Sequence, residues 1–170
     1  QHIRVLESAG LVSLERRRAT KGRPSSVYAA TTRALQVFPK RYDLLAEAMV
    51  SEAENRTDPQ EMDQITDSLA LRMMRMFRPD APTGDFDERL KDTVSLLSKL
   101  QMDPAVTEDA GGLKIRLHNC PYYDVAVRHP SLMCEISRRL IQNLLSTPVS
   151  KEQTIAEGHS CCIFAASRSS

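Results

Sequence analysis

The residues of this chain best suited to chemistry are its four cysteines, all of which lie in the last third of the sequence. Cys120 follows a predicted strand, Cys134 lies on a predicted helix, and Cys161 and Cys162 are adjacent near the end. A structural zinc site normally contains a close C-x2-4-C pair, which is absent here. Cysteines on separate elements suit a larger iron–sulfur cluster, because each iron can be reached from its own direction. We therefore predict free thiols or metal ligands rather than disulfides.

Strand alternation allows only one of the two adjacent cysteines to join such a site. In the predicted final strand, Cys161 and Cys162 point to opposite faces, so at most three thiolates converge. The alternative is that these cysteines are structural residues of the core and bind nothing. Cysteine is among the residues most often buried, and Cys134 shares a helical edge with Ile141 and Leu145.

A thiol enzyme is a weaker interpretation of the same residues. His159 and Cys161 share one face of the predicted strand, and a Cys-His pair can make a nucleophile. The sequence supplies no third group to orient the histidine, and it has neither a phosphate-binding loop nor a dinucleotide-binding glycine motif. We predict that the protein is not an enzyme.

The first 41 residues form a basic segment that the overall composition hides. They hold nine Lys or Arg against two Glu, a balance of +7, so the net charge of +1 for the whole chain leaves −6 for the other residues. Five cations fall within eight residues at a predicted hairpin tip: Arg16, Arg17, Arg18, Lys21 and Arg23. Clustered cations are what contacts to DNA phosphates require, although a solvated hairpin is the simpler alternative.

The elements around these cations predict part of a winged helix-turn-helix. A short helix ends at Gly10, a suitable left-handed cap, and strands over 11–18 and 25–30 follow as a hairpin. The helix would present its polar face to the major groove and its apolar face behind it. The polar residues are Gln1, His2 and Arg4, and the apolar residues are Ile3, Val5 and Leu6. Because the helices that normally support this one are not in the sequence, we expect the chain alone to bind DNA poorly.

A helical region is predicted next. After a connection over Thr31–Pro39, one helix runs from Pro39 to about Arg56 and a second begins at Pro59, capped by Asp58. The second helix carries an apolar stripe spaced by three and four, which indicates core packing or a dimer seam rather than a ligand-binding methionine cluster. The stripe consists of Met62, Ile65, Leu69, Met73 and Met76. A third helix begins at Asp85, with Phe86, Leu90, Val94, Leu97 and Leu100 on its buried side.

The last segment is predicted to be a small α+β domain. Strands over 105–109 and 113–117 flank Ala110-Gly-Gly112, helices follow over 122–128 and 131–145, and strands over 154–157 and 161–165 close the chain. The predicted fold class is α+β, with a truncated winged helix over 1–38, a helical linker and dimerisation region over 39–102, and a sensor domain over 103–166. No apolar run of 18 residues and no secretory leader is found, which predicts a cytoplasmic protein without membrane contact.

Several short motifs resemble one known family. They are Asn119-Cys-Pro121, His129-Pro130 with Cys134 beyond it, and Gly158-x-x-x-Cys162, together with Gly22-Arg-Pro24, Phe38-Pro39 and Tyr42. This set resembles the ArsR-like regulators that include the repressor of the iron–sulfur-cluster assembly operon. The resemblance covers nearly the whole chain.

The resemblance implies a homodimeric winged-helix repressor that binds double-stranded DNA. It also implies an iron–sulfur cluster on Cys120, Cys134 and Cys162, whereas Cys161 does not match the motif. A fourth ligand stays open among His118, His129, His159 and Asp124. Two alternatives are a regulator sensing an organic effector, lined by Tyr122, Tyr123 and the Met-rich helix, and a zinc-stabilised or metal-free dimerisation module.

Overall fold

The computed structural model describes residues 1–18, 25–77, 80, 82–109 and 112–167. Helices and strands are both present, so the predicted α+β class is confirmed at that level. The chain forms two compact units, Gln1–Tyr42 and Asp43–Ser170. No helix in these described ranges combines the length and the apolar character needed to cross a bilayer.

The first unit contains a short helix, a hairpin and a second short helix. These are α1 (His2–Ser8), β1 (Val12–Arg18), β2 (Ser25–Ala30) and α2 (Thr32–Val37). The strands are antiparallel, with Val12 opposite Ala30 and an irregularity between Leu14 and Arg16. Gly10 has a φ of 69°, the left-handed conformation predicted for the end of α1. The hairpin tip, with Lys21 and Arg23 and the Gly22-Arg-Pro24 motif, lies outside the described residues.

The predicted connection over Thr31–Pro39 is wrong, because it contains α2. Thr31 caps this helix: its hydroxyl oxygen accepts from the Ala34 N–H at 3.2 Å. The same hydroxyl donates to the Gly10 carbonyl at 2.7 Å and so ties α2 to the end of α1. At six residues, α2 is too short to show a clear helical periodicity in the sequence.

The second unit begins with three longer helices, as the sequence predicts. They are α3 (Tyr42–Arg56), α4 (Pro59–Phe77) and α5 (Phe86–Lys99). The Asp58 carboxylate accepts the N–H groups of Gln60 and Glu61 at 2.8 Å, and Asp85 forms a capping box with Glu88. The predicted N-cap Asp58 is therefore confirmed, whereas Asp85, predicted as the first residue of its helix, is the N-cap of that helix. The first of these helices begins at Tyr42 rather than at Pro39.

The buried face of α4 differs from the predicted stripe by one position. Thr66, Ala70 and Met74 are its buried residues, and they face α7 (Pro130–Leu145). Most of the predicted stripe lies at the edge of this contact, and Met76 is 74% exposed. Only part of the stripe is therefore buried within the protomer.

A four-stranded antiparallel sheet completes the second unit. Its strands are β3 (Pro104–Asp109), β4 (Gly112–Leu117), β5 (Val149–Gln153) and β6 (Cys162–Ala166), in the order β3-β4-β6-β5. The strand predicted at Thr154–Glu157 is wrong: Ile155–Glu157 is a 3-10 turn, and β5 precedes it. Edge strand β5 has a mostly polar sequence, which hides it from a search for apolar alternation. The helix predicted over 122–128 is only the single turn α6 (Tyr123–Ala126).

Alternate residues of the two central strands pack on the helices. The shared core contains Leu113, Ile115 and Leu117 of β4, Cys162, Phe164 and Ala166 of β6, Phe86 and Leu97 of α5, and Ile141 and Leu145 of α7. Cys162 therefore lies on the helix-facing side of the sheet. The helical and α+β segments share this core, and their division into functional domains at residue 102 stays a prediction.

Candidate functional site

The three cysteines assigned to the cluster come from three separate elements of the second unit. Cys120 lies in the loop between β4 and α6, Cys134 lies in the second turn of α7, and Cys162 begins β6. Burial raises the pKa of the Cys162 thiol to about 11, and the proximity of Cys134 and Cys120 contributes to this rise. Burial also raises the pKa of the Cys134 thiol, again with a contribution from Cys120. Cys161 contributes to the raised pKa of Cys162 as well, so this effect does not distinguish the three assigned thiols from the fourth.

A hydrogen-bonding group lies beside each of these sulfur atoms. The Ile155 N–H donates to Cys162 Sγ at 3.3 Å, and the backbone of Tyr122 is hydrogen-bonded to the Cys120 sulfur. The third partner is the Thr154 side chain, which is hydrogen-bonded to the Cys134 thiol. The Ile155 N–H is a donor of the kind that stabilises a thiolate and tunes the properties of metal-bound sulfur.

The 3-10 turn before Gly158 forms one wall of the cysteine site. Thr154 is fully buried, and its hydroxyl donates to Glu157 Oε2 at 2.9 Å. Glu157 Oε1 lies 4.0 Å from Lys151 Nζ. The sequence analysis missed Thr154 and Glu157 because it placed both in a strand. Gly158, with a φ of 93°, is the residue that could have indicated the turn.

Cys161 has different surroundings from its neighbour. It precedes β6, and its Sγ lies 3.7 Å from Gln153 Nε2, which also donates to the Cys161 carbonyl at 3.0 Å. Cys162 instead faces the core shared by the sheet and the helices. All four cysteines are free thiols.

The donor set contains thiols, which are the ligands that iron–sulfur clusters use. In the part of the chain that is described, no three His, Cys, Asp or Glu side chains form a group that could hold a metal ion. A cluster on Cys120, Cys134 and Cys162 therefore stays a prediction. Because these thiols must lose protons on binding and their pKa values are raised by burial, uptake is expected to improve as pH rises.

The four candidates for a further ligand lie in different surroundings. The His118 ring is 3.3 Å from the Asp103 carbonyl and is exposed, as are His159 and Asp124. His129 is buried and is bound by carboxylates of α3. These four residues are not grouped around one site.

His129 joins α3 to the start of α7. Its Nδ1 lies 2.6 Å from Glu54 Oε2, its Nε2 lies 3.2 Å from Glu47 Oε1, and Ser51 Oγ is 3.4 Å from Nε2. The Arg128 Nε donates to Glu47 at 2.6 Å. Burial alone would lower the pKa of His129, but the hydrogen bonds to Glu54 and Glu47 outweigh it and raise that pKa. We call His129 with these two glutamates the histidine clasp.

Because of the histidine clasp, we expect the stability of the folded protein to fall as pH rises. The pKa of His129 is raised in the folded protein, so its contribution is complete below the ordinary value of 6.5 and is lost as pH passes the raised value. We expect the wild-type melting temperature to fall by a few degrees more between pH 6 and pH 9 than that of His129→Gln. Thermal unfolding followed by circular dichroism tests this. Parallel pH curves for the two proteins would contradict it.

The predicted DNA-contacting residues lie on the surface of the first unit. Gln1, His2 and Arg4 are exposed on α1, and Arg16 and Arg17 are exposed on β1. The backbone of Arg18 pairs with Ser25. The apolar residues of α1 are exposed as well, at 47% for Ile3, 60% for Val5 and 40% for Leu6.

An apolar cavity of about 370 Å³ lies among α3, α4, α6 and α7. Its walls include Met49 of α3, Leu69 and Met73 of α4, and Leu132 and Ile136 of α7. Tyr122 and Tyr123, which the organic-effector alternative assigned to a lining, do not belong to it. Cavities of this size hold small organic ligands in other proteins.

Comparisons of the chain with models of protein families, with curated proteins and with solved structures gave no match.

Proposed function

We propose that this chain belongs to a DNA-binding transcriptional repressor with a C-terminal iron–sulfur or redox-sensing site on Cys120, Cys134 and Cys162. One observation carries the proposal: three thiols come from three separate elements of the second unit, and the Ile155 N–H donates to Cys162 Sγ at 3.3 Å. A bound cluster would supply sensitivity to oxidants and to iron supply.

The first unit supports the DNA-binding half of the proposal. A short helix, a glycine turn and an antiparallel hairpin follow one another, as in the second half of a winged helix-turn-helix. Arg16 and Arg17 are exposed on the hairpin, and residues 1–41 carry a balance of +7. In this interpretation α1 reads bases in the major groove and the hairpin contacts the phosphate backbone.

The histidine clasp offers a physical connection between sensing and DNA binding. Cys120 and Cys134 flank the corner between α6 and α7, and His129 lies between them in the sequence at that corner. Ligation would fix the separation of the two cysteines and so the position of the corner. Because His129 binds Glu47 and Glu54, a shift of the corner acts on α3, which follows the first unit directly in the chain.

Salt-dependent DNA binding tests the wing assignment. Each phosphate contact contributes roughly 0.9 to the slope of log K against log salt, so the triple variant Arg16→Ala, Arg17→Ala, Arg18→Ala is expected to lower this slope by about 2–3. With the predicted upstream helices of the winged helix-turn-helix supplied, fluorescence anisotropy of a labelled duplex over a series of salt concentrations measures it.

A matched control removes the same charge elsewhere. Arg72, Arg75 and Lys91 are exposed cations of the second unit. The triple variant Arg72→Ala, Arg75→Ala, Lys91→Ala is expected to keep the wild-type slope. If both triple variants reduce the slope equally, general charge rather than the wing is responsible.

A second candidate function is favoured by the apolar cavity. A regulator that binds an organic effector would use its methionine-lined walls, which adapt to different ligands. Anaerobic purification separates the two candidates. A brown protein with broad absorption at about 400 nm is expected only for the cluster-binding regulator.

A further inference from the structure

An open groove of about 750 Å³ runs along the face of α4 that points away from the contact with α7. Its lining includes Glu61, Ile65, Ser68, Leu69 and Arg72. Ile65 is half-buried and the other four residues are exposed. The groove therefore combines an apolar centre with charged residues towards both ends, which is the pattern of an interface between protein chains.

The charges of α4 are ordered along the helix. Glu61 lies in its first turn and Arg75 lies in its last turn. On the groove face, Glu61 precedes Arg72 by about three turns. A parallel pair of such helices would place like charges side by side, whereas an antiparallel pair places opposite charges together. The charge order therefore fits a second copy of α4 that runs in the opposite direction.

A two-fold axis near position 67 matches the apolar and the charged residues at once. This position is midway between Ile65 and Leu69, so Ile65 of one copy would contact Leu69 of the partner subunit. Glu61 lies six residues before it and Arg72 lies five residues after it, which is about 9 Å and 8 Å along the helix. Each Glu61 would therefore lie beside Arg72 of the partner subunit. The small side chain of Ser68, next to the axis, allows the two helices to approach closely.

We propose that this face of α4 binds the same face of a second copy in an antiparallel two-fold interface, with Ile65 and Leu69 at its centre and Glu61–Arg72 ion pairs at both ends. The interface does not depend on a bound cluster. Its ion pairs fix the direction of the helices, but exposed pairs contribute little to affinity. Removing one charge, as in Arg72→Ala, is therefore expected to leave the dimer intact, whereas reversing a charge introduces two repulsive contacts.

Sedimentation velocity of charge-reversal variants of the full chain tests the ion pairs. Glu61→Arg and Arg72→Glu are each expected to raise the dimer dissociation constant roughly ten-fold or more, because like charges then face each other twice. The double variant Glu61→Arg, Arg72→Glu restores opposite charges and should return to within about three-fold of the wild type. Lys91→Glu reverses an exposed cation of α5 and is the control expected to dimerise as the wild type does.

Crosslinking tests the direction of the helices without charge reversal. Glu61→Cys and Arg72→Cys chains are mixed and treated with a short bismaleimide. The mixture is expected to give more crosslinked dimer than either variant alone, because antiparallel pairing places position 61 of one copy beside position 72 of the other. Wild type treated in the same way gives the background from the four native cysteines.

Each contrary result has a defined meaning. A monomeric wild type would refute the interface outright. If both single reversals dimerise normally, or if the double variant does not recover although circular dichroism shows an intact fold, Glu61 and Arg72 do not meet. Equal weakening by Lys91→Glu would assign the effect to net charge and overturn the ion pairs. Stronger crosslinking of Glu61→Cys alone than of the mixture would show parallel helices and overturn the proposed direction.

Discussion

Replacing Cys120, Cys134 or Cys162 singly by Ser is expected to remove most of the iron that the wild-type chain takes up. A serine oxygen is a poorer ligand for an iron–sulfur centre than a thiolate, so the loss of one ligand among three makes the cluster labile. The change is nearly isosteric, so the core around Cys162 should stay intact. Iron and sulfide assayed per protein after anaerobic reconstitution measure the effect.

Cys161→Ser is the matched control for this series. Cys161 is as buried as Cys162, but its sulfur lies by Gln153 rather than on the core face of the sheet. We expect its iron content to equal that of the wild type. Loss of iron in Cys161→Ser together with retention in Cys162→Ser would mean that the wrong one of the two adjacent thiols has been assigned to the site.

The elements that the sequence predicts well are those whose local chemistry agrees with their packing. Asp58 and Asp85 each precede a helix with an acceptor for its free N–H groups, and both act as caps in the structure. Strand β4 alternates buried and partly exposed residues along its length, which is the pattern of a strand with one buried face. Positions of this kind can be located without knowledge of the remaining chain.

The parts that the sequence missed depend on tertiary contacts. The polar edge strand β5 is held by pairing with β6, and nothing in its own composition indicates a strand. The hydrogen bond between Thr154 and Glu157 was missed because the sequence analysis placed both residues in a strand, whereas they belong to a 3-10 turn and its cap. The partners of His129 lie on α3, and Glu54 is 75 residues away from it in the chain. The residues next to His129 in the sequence therefore do not indicate this contact.

The double substitution Ile65→Asp, Leu69→Asp is expected to convert a dimer into folded monomers. An apolar band crosses α3 and α4, where Met49 is 65% exposed and Leu69 is 37% exposed, and both residues line the same cavity. Such a band is too apolar to leave in water, and a two-fold axis would cover it with its own copy. Because α4 packs on α7 through Thr66, Ala70 and Met74, the two substitutions leave that contact intact.

Sedimentation velocity measures the change in mass, and Leu71→Asp, at a 36% exposed position of α4 outside the cavity, is the control expected to stay dimeric.

DNA binding should weaken when the dimer separates. A repressor that contacts two half-sites about 34 Å apart needs both protomers, so separated monomers should lose roughly 100-fold or more in affinity. A wild-type monomer would contradict the dimer itself. An unchanged dimer in the double variant would place the interface on another surface, and the methionine-lined cavity would then be left free for an organic effector.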